Sequence, residues 1–131
     1  VTVTGAGNSI TTTGAIATGA AGNITLTADD LVLGGNLSGT GTVTLQHYTA
    51  NRLANINNGT ADGTNWNLST AEIAYLVDGW SGINLGRTDG TNSFTIGAST
   101  WVDPITFRNN YRISHMGTWT GTGNASFTVN G

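Results

Sequence analysis

The chain has 131 residues, of which 8% are charged, with four arginines, no lysine and a net charge of −3. Nucleic-acid binding requires a basic surface, so this composition argues against that function class and we expect no nucleic-acid partner. Apolar runs fall far short of the roughly 20 residues that cross a bilayer as a helix, so we expect no membrane insertion. The sequence begins with Val1 rather than Met, which leads us to expect a mature or excised piece of a longer protein.

The first 46 residues repeat a short apolar pattern. Residues 1–4 read VTVT, the alternation of a half-buried strand. Ile24 and Leu26 are followed by Val43 and Leu45, 19 residues further on in each case, and shorter apolar bursts lie between them. Three short strands in a period of about 20 residues are typical of one coil of a parallel β-solenoid. Antiparallel hairpins are the alternative, but they usually have longer strands and two-residue turns.

The middle of the chain departs from this pattern. Residues 47–66 are rich in Asn, Gly and Thr, and we predict an irregular excursion there. After residue 80 the apolar pairs return, and Asp103-Pro104 indicates a corner because proline cannot donate to a central ladder. We therefore predict an all-β protein in which residues 1–131 form a single solenoid unit.

One short helix is predicted near residues 69–78. Ser69 and Glu72 have the spacing of a capping box, which satisfies two free N–H groups at the start of a helix. Ile73 and Leu76 fall on one face of that helix, and Gly79 is placed to end it in a left-handed conformation. We expect the helix to cover an open edge or an end of the solenoid, or to lie along one face.

Two segments resemble a known family. The stretch GNITLTADDLVLGGNLSGTGTVTL resembles repeats of large bacterial exoproteins of the filamentous-haemagglutinin type, which are exported by two-partner secretion. Three further motifs are similar to a recurring unit of those proteins: Asp78-Gly79-Trp80, Leu85-Gly86-Arg87 and Asp103-Pro104-Ile105. The resemblance implies a right-handed parallel β-helix, secreted and held at the bacterial cell surface, that serves in adhesion, fibres or biofilm. It implies no catalytic residues.

Catalytic and metal-binding patterns are sparse. The histidines are His47 and His115, and Glu72, the single glutamate, is explained as a cap. Nothing in the sequence marks a nucleophile with a base or two convergent carboxylates. The Asp-Gly pairs are typical of turns, where aspartate bonds its own backbone. We therefore expect no enzyme activity, no cofactor and no metal.

Two binding functions are kept as alternatives. Tyr111, Arg112 and Trp119 flank an atypical stretch, and we predict them as an exposed contact patch of a carbohydrate-binding adhesin module, with surface glycans as partners. The Thr-x-Thr steps could instead form a hydroxyl grid that matches ordered water, as in an ice-binding solenoid. These steps are unevenly spaced in the sequence, and threonine is common in strands for other reasons.

Both ends of the chain have the pattern of strands. Val1 and Val3 begin the first strand, and Phe127 and Val129 lie in the last one. The end coils of a solenoid present unpaired N–H and C=O groups, which invite another strand unless they are capped. We therefore expect these four residues to lie in assembly strands that join copies of the unit head to tail, in a tandem chain or in a fibre.

Overall fold

The computed structural model of the protein describes residues 1–5, 9–58 and 64–131, and within these the chain winds as a parallel β-solenoid of about six turns. The predicted fold class is confirmed. The strands are β1 (Thr2–Thr4), β2 (Ser9–Thr12), β3 (Ile16–Ala17), β4 (Ile24–Thr27), β5 (Asp30–Leu33), β6 (Leu37–Ser38), β7 (Thr42–Gln46), β8 (Ala54–Ile56), β9 (Trp66–Leu68), β10 (Gly82–Gly86), β11 (Ser93–Ile96), β12 (Ser99–Trp101), β13 (Ile105–Arg108), β14 (Arg112–His115), β15 (Trp119–Gly121) and β16 (Phe127–Asn130). The helix α1 is Thr70–Ile73.

The first face of the solenoid is a parallel sheet in the order β1-β4-β7-β10-β13-β16. Its register stacks equivalent residues, so that Ile24 lies beside Val43 and Leu26 beside Leu45, as the 19-residue period predicts. Alternate residues point inward and are buried, which places one apolar column beneath each inward position. One such column consists of Val3, Leu26, Leu45, Leu85, Phe107 and Val129.

The second face contains an additional strand. Its sheet runs β14-β11-β8-β9, and β9 packs beside β5, which pairs with β2. The third coil thus supplies two strands to this face, with β9 below β8 although β8 comes first in the chain. Part of the predicted irregular excursion at 47–66 is therefore a strand. Ala54–Ile56 is buried throughout, and β11 and β9 pair with its two edges.

The third face has four strands, against six on each of the other two faces. It consists of β3 and β6, then Leu76, which pairs with Leu37 of β6, and finally β12 and β15. We number the strand positions along the solenoid axis as levels, starting from β1. On the second face the third coil fills two levels, with β9 and β8. The fourth coil therefore continues one level higher, and its strand β12 lies at the fifth level of the third face. Among the described residues, no strand fills the level between Leu76 and β12. A groove of about 680 Å³ lies there.

The helix has the predicted cap but is shorter than predicted. The Ser69 hydroxyl accepts from the Glu72 N–H at 3.3 Å, and the Glu72 carboxylate accepts from the Ser69 N–H at 2.9 Å, so the capping box is present. The helix ends at Ile73 because the next residues pair with β6: Leu37 donates to the Tyr75 carbonyl and accepts from the Val77 N–H. Gly79, predicted as the helix end, instead takes its positive φ of 126° in the turn before β10.

The core changes in character along the axis. Between β4 and β7 its buried side chains are aliphatic, whereas the later coils bury large aromatic rings. Edge-on contacts join Trp66 to Phe94 at 6.2 Å, Phe94 to Phe107 at 6.1 Å and Phe107 to Trp101 at 6.1 Å. Such pairs add stability beyond their burial. In the part of the chain that is described, no helix is long and apolar enough to cross a membrane.

Candidate functional site

The two ends of the solenoid present incompletely paired strands. Within the described residues, β1 pairs on one edge alone, with β4, and β16 pairs on one edge alone, with β13. Their inward apolar residues are consequently open to solvent: Val1 is 58% exposed, Val3 39%, Phe127 38% and Val129 52%. The structure therefore places the four predicted assembly residues at opposite ends, each on a free edge.

The free backbone groups of β1 follow from its pairing with β4. Thr25 donates to the Val1 carbonyl, and Gly5 donates to the Thr27 carbonyl. In a parallel ladder, alternate residues bond to opposite sides. Val1 and Val3 therefore face β4, and the N–H and C=O groups of Thr2 and Thr4 point away from the molecule. This end offers a pattern of donors and acceptors for one more strand.

The free backbone groups of β16 follow in the same way. Ile105 donates to the Ser126 carbonyl, and Asn109 donates to the Asn130 carbonyl. The even-numbered residues of β16 thus bond to β13, and the N–H and C=O groups of Phe127 and Val129 point outward. Both ends expose unpaired backbone beside apolar side chains, which is the combination that promotes the addition of strands.

The last coil also presents aromatic side chains at its end. The Trp119 ring lies 4.8 Å from Phe107, 5.7 Å from Phe127 and 4.5 Å from His115. Trp119 is half-buried, and His115 is exposed. The end formed by β14, β15 and β16 is therefore more aromatic than the end formed by β1, β2 and β3.

The structure separates the three residues of the predicted contact patch. Tyr111 is 69% exposed and precedes β14, where the exposed Arg112 follows it. Trp119 lies in a different sheet, on β15, and its ring packs inward against Phe107. Tyr111 and Arg112 are adjacent and accessible, whereas Trp119 belongs to the end of the core. Glycan binding stays a prediction from the sequence.

The uneven Thr-x-Thr steps become aligned when the coils stack. Five threonines and one asparagine form a single outward column on the first face: Thr2, Thr25, Thr44, Asn84, Thr106 and Thr128. The neighbouring outward column is not uniform, since Gln46, Gly86 and Arg108 follow Thr27 in it. The hydroxyl array is therefore one column wide over most of the face. Ice binding stays a prediction.

Charged groups gather at the corner that follows β7. The Asp29 carboxylate accepts from the Thr49 N–H at 2.7 Å and from the Thr49 hydroxyl at 2.5 Å. Burial by itself raises the pKa of Asp29, but these hydrogen bonds outweigh it and hold the pKa below its usual value. Burial lowers the pKa of His47, and the nearby Arg87 charge adds to that effect. At neutral pH the cluster holds an ionised Asp29 beside a neutral His47.

Arg87, which follows β10, forms hydrogen bonds that connect this corner to the next coil. Its guanidinium donates to both carboxylate oxygens of Asp89 at 2.7 Å and to the carbonyls of His47 and Tyr48. The hydrogen bond to Asp89 raises the pKa of Arg87 and lowers that of Asp89. Since Asp89 is 64% exposed, solvent screens this ion pair. These contacts connect two coils at one corner of the solenoid, and each is explained as a structural contact.

The groove on the third face was not anticipated from the sequence. Leu76, Ile83 and Trp101 supply much of its apolar lining, and Thr100 and Asp78 lie at its edges. Neither composition nor periodicity indicates it, because it results from a missing strand level. Within the described residues, no group of three or more His, Asp or Glu side chains is arranged to hold a metal ion.

Comparison with known proteins adds no relative to this description. No family model, curated protein or solved structure matches the chain.

Proposed function

We propose that the protein is a structural and adhesive β-solenoid unit that stacks head to tail with further copies of itself, as tandem units or as subunits of a fibre. The resemblance to exported bacterial exoproteins extends this proposal to a fibre outside the cell, at the bacterial surface. The observation that carries the proposal is the match in register between β16 and β1.

The side-chain columns continue across a junction of two copies. Val1 and Val3 begin the two inward columns of the first face, and Phe127 and Val129 end them. Placing β1 of one copy on β16 of another sets Phe127 beside Val1 and Val129 beside Val3. Four exposed apolar side chains then become interior ones. At roughly 25 cal/mol per Å² of buried apolar surface, this burial favours association.

The backbone groups interleave in the same register. In a parallel ladder continued from β16, the Thr2 N–H of the next copy donates to the Phe127 carbonyl. Val129 donates to the Thr2 carbonyl and accepts from the Thr4 N–H. Each of these groups faces outward from its own copy, so the junction requires no rearrangement of the existing ladders.

All three faces end at the same level. The additional strand on the second face and the empty level on the third bring β14, β15 and β16 to the sixth level together. At the opposite end, β1, β2 and β3 share the first level. A flush end can place three strands against three strands at once. Such a contact joins unlike ends and does not close, so it propagates into a filament.

The variant Val129→Pro tests the proposal. Proline removes the outward N–H, which has no partner among the described residues of one copy, and blocks the approach of β1. We expect an unchanged circular dichroism spectrum and melting temperature, together with loss of the filaments that the parent chain forms at rising concentration in electron microscopy. Val129→Ile keeps the N–H and the apolar side chain, so it should still assemble. Monodisperse single units of the parent chain at every concentration would refute the proposal.

A further inference from the structure

We propose that protonation of His115 controls the head-to-tail contact, so that copies stack while this imidazole is neutral and separate once it carries a charge. The inference rests on the proposed function, because it concerns the same junction between the last coil of one copy and the first coil of the next. To the strands that form this junction it adds a side chain that regulates it.

His115 occupies an inward position at the end of the solenoid. In the register of the second face it stacks on Ile96, which stacks on Ile56, and both of these aliphatic residues are fully buried. The His115 ring also contacts the Trp119 ring, with centroids 4.5 Å apart, and Trp119 packs against Phe107 in the core. His115 itself is exposed, since β14 is the last strand of its sheet.

A second copy would enclose this imidazole. The three faces end at the same level, so a junction that pairs β1 with β16 also brings β2 of the next copy onto β14. The inward side chains of β2 are Ile10 and Thr12, which stack on buried residues of β5. The inward side chains of β14 are Ile113 and His115. Stacked in line, the second member of each pair meets the other, so Thr12 covers the open side of His115.

The strands around His115 provide no group that would compensate a charge at that position. In the junction these strands are β1, β2, β11, β15 and β16, and none of them contains an ionisable side chain. Arg112 of β14 and Arg108 of β13 lie at outward positions, where alternate residues point away from the core. Both are cations, so neither would stabilise a protonated His115.

The ionisable groups that the next copy brings to this end are directed elsewhere. Its Val1 amine donates to a backbone carbonyl of its own first face. Its Asp30 lies on the outward side of β5, at the second level. Its Glu72 accepts hydrogen bonds within its own copy, as the cap of α1. His115 would therefore enter the junction without an anionic partner.

Enclosure without an anionic partner favours the neutral imidazole, because an ionised group is costly to remove from water unless it is paired. The neutral ring also has a nitrogen that accepts a hydrogen bond, which the protonated ring lacks. Thr12 can supply this bond, since its Oγ1 already accepts from the Gly34 N–H and its hydroxyl hydrogen has no acceptor among the described residues. Histidine ordinarily changes its charge between pH 5 and pH 8, so the junction should weaken as pH falls through this range.

The expected direction is opposite to that of nonspecific association. With its histidines neutral the chain has a net charge of −3, and acid brings this charge closer to zero. Weaker repulsion between copies would promote association at the lower pH. Loss of assembly on acidification therefore indicates a specific group that must be neutral in the junction.

Filament assembly at two pH values tests the inference. We expect the critical concentration of the parent chain, measured by sedimentation and electron microscopy, to be about tenfold higher at pH 5.5 than at pH 7.5. Tenfold is roughly the change in the neutral fraction of an ordinary imidazole between these values. Circular dichroism at both pH values should show a folded chain, which separates dissociation from unfolding caused by protonation of the buried His47.

Two variants isolate the charge of His115. His115→Gln keeps a hydrogen-bond acceptor and cannot be protonated, so it should assemble equally well at both pH values. His115→Arg carries a charge at both values, and its critical concentration at pH 7.5 should be at least about tenfold above that of the parent chain. His115 is exposed in one copy, so both variants should fold.

Three outcomes would overturn the inference. Equally strong assembly of the parent chain at both pH values would leave the stacked fibre in place and remove the role of His115. A pH response that persists in His115→Gln would assign the response to another group, such as the Val1 amine. A parent chain that stays monodisperse at both pH values would refute the stacked fibre itself, and the inference with it.

Discussion

The coils up to residue 46 and those after it build the same solenoid by different means. In the first part each coil gives one strand to each face, and the interior is aliphatic. In the second part the third coil gives two strands to one face, and Trp66, Phe94 and Phe107 fill the interior. The regular period thus coincides with small aliphatic side chains of similar size. The departure from that period coincides with large buried rings, and the core remains buried there.

The largest expected effect is on the aromatic interior. Trp66 is fully buried and contacts Phe94 edge-on at 6.2 Å, so Trp66→Ala leaves a large cavity. We expect a loss of about 3–5 kcal/mol in the free energy of unfolding, measured by urea denaturation. Val32, 40% exposed in the aliphatic part, is the control, and Val32→Ala should change stability by less than about 0.5 kcal/mol. Equal effects of the two variants would show that the rings do not hold the second part together.

The next effect concerns two glycines of one strand, β10. Gly86 has a φ of +84°, and a Cβ there would collide with the Arg108 carbonyl oxygen and lie 2.8 Å from Phe94 Cε1. Gly86→Ala should cost about 1–3 kcal/mol from the backbone conformation alone, and the collision adds to this. Nothing lies within 4 Å of a Cβ at Gly82, where φ is ordinary. Gly82→Ala should be neutral or stabilise by about 0.4–1 kcal/mol.

The same urea experiment decides the second prediction. If Gly86→Ala were as stable as Gly82→Ala, the close packing of Phe94 against the backbone of β10 would be wrong. The same result would contradict the view that the aromatic part requires glycine at positions such as Gly86.

The regular part of the fold could be predicted from the sequence, and the irregular part could not. The apolar pairs at Ile24 and Val43 recur at a fixed distance because each coil contributes one strand, so local periodicity carries the information. The strand Ala54–Ile56 is only three residues long and lies in an Asn-rich stretch, and its burial does not alternate, since Asn55 is enclosed with its neighbours. The position of β9 below β8 reverses the chain order and depends on tertiary contacts alone. Pairing with Leu37 likewise overrode the helical pattern that continued through Leu76.

The candidate sites divide in the same way. The apolar residues of the end strands were visible as V-x-V and F-x-V patterns, and their exposure follows from their position in the first and last coils. The lateral groove arises from a level that no strand of the described residues fills. The gap exists because the second and third faces have different numbers of strands. That difference depends on how the coils stack, and the sequence pattern of a single chain does not show it.

The smallest expected effect compares two buried aspartates, one from each part. Hydrogen bonds from Thr49 hold the pKa of Asp29 below its usual value, although burial opposes them. This residue stabilises the fold above the unfolded-state pKa near 3.8, and the stabilisation disappears as pH falls through the folded-state pKa. Asp29→Asn should therefore be less stable than the parent chain at pH 7, with a difference that shrinks toward pH 3.

Asp103 should respond with the opposite sign. Burial raises its pKa, and its Oδ2 accepts no hydrogen bond from the described residues. The protonated form is favoured in the folded state, so its stabilisation is present at low pH and is lost as pH rises through the folded-state pKa. Asp103→Asn should match or exceed the parent chain in stability at pH 7 and lose that advantage near pH 4. Urea unfolding of both variants from pH 3 to pH 7 gives the two slopes. Slopes of the same sign would mean that the two aspartates share one environment, and the contrast between the aliphatic and aromatic parts would not extend to their buried charges.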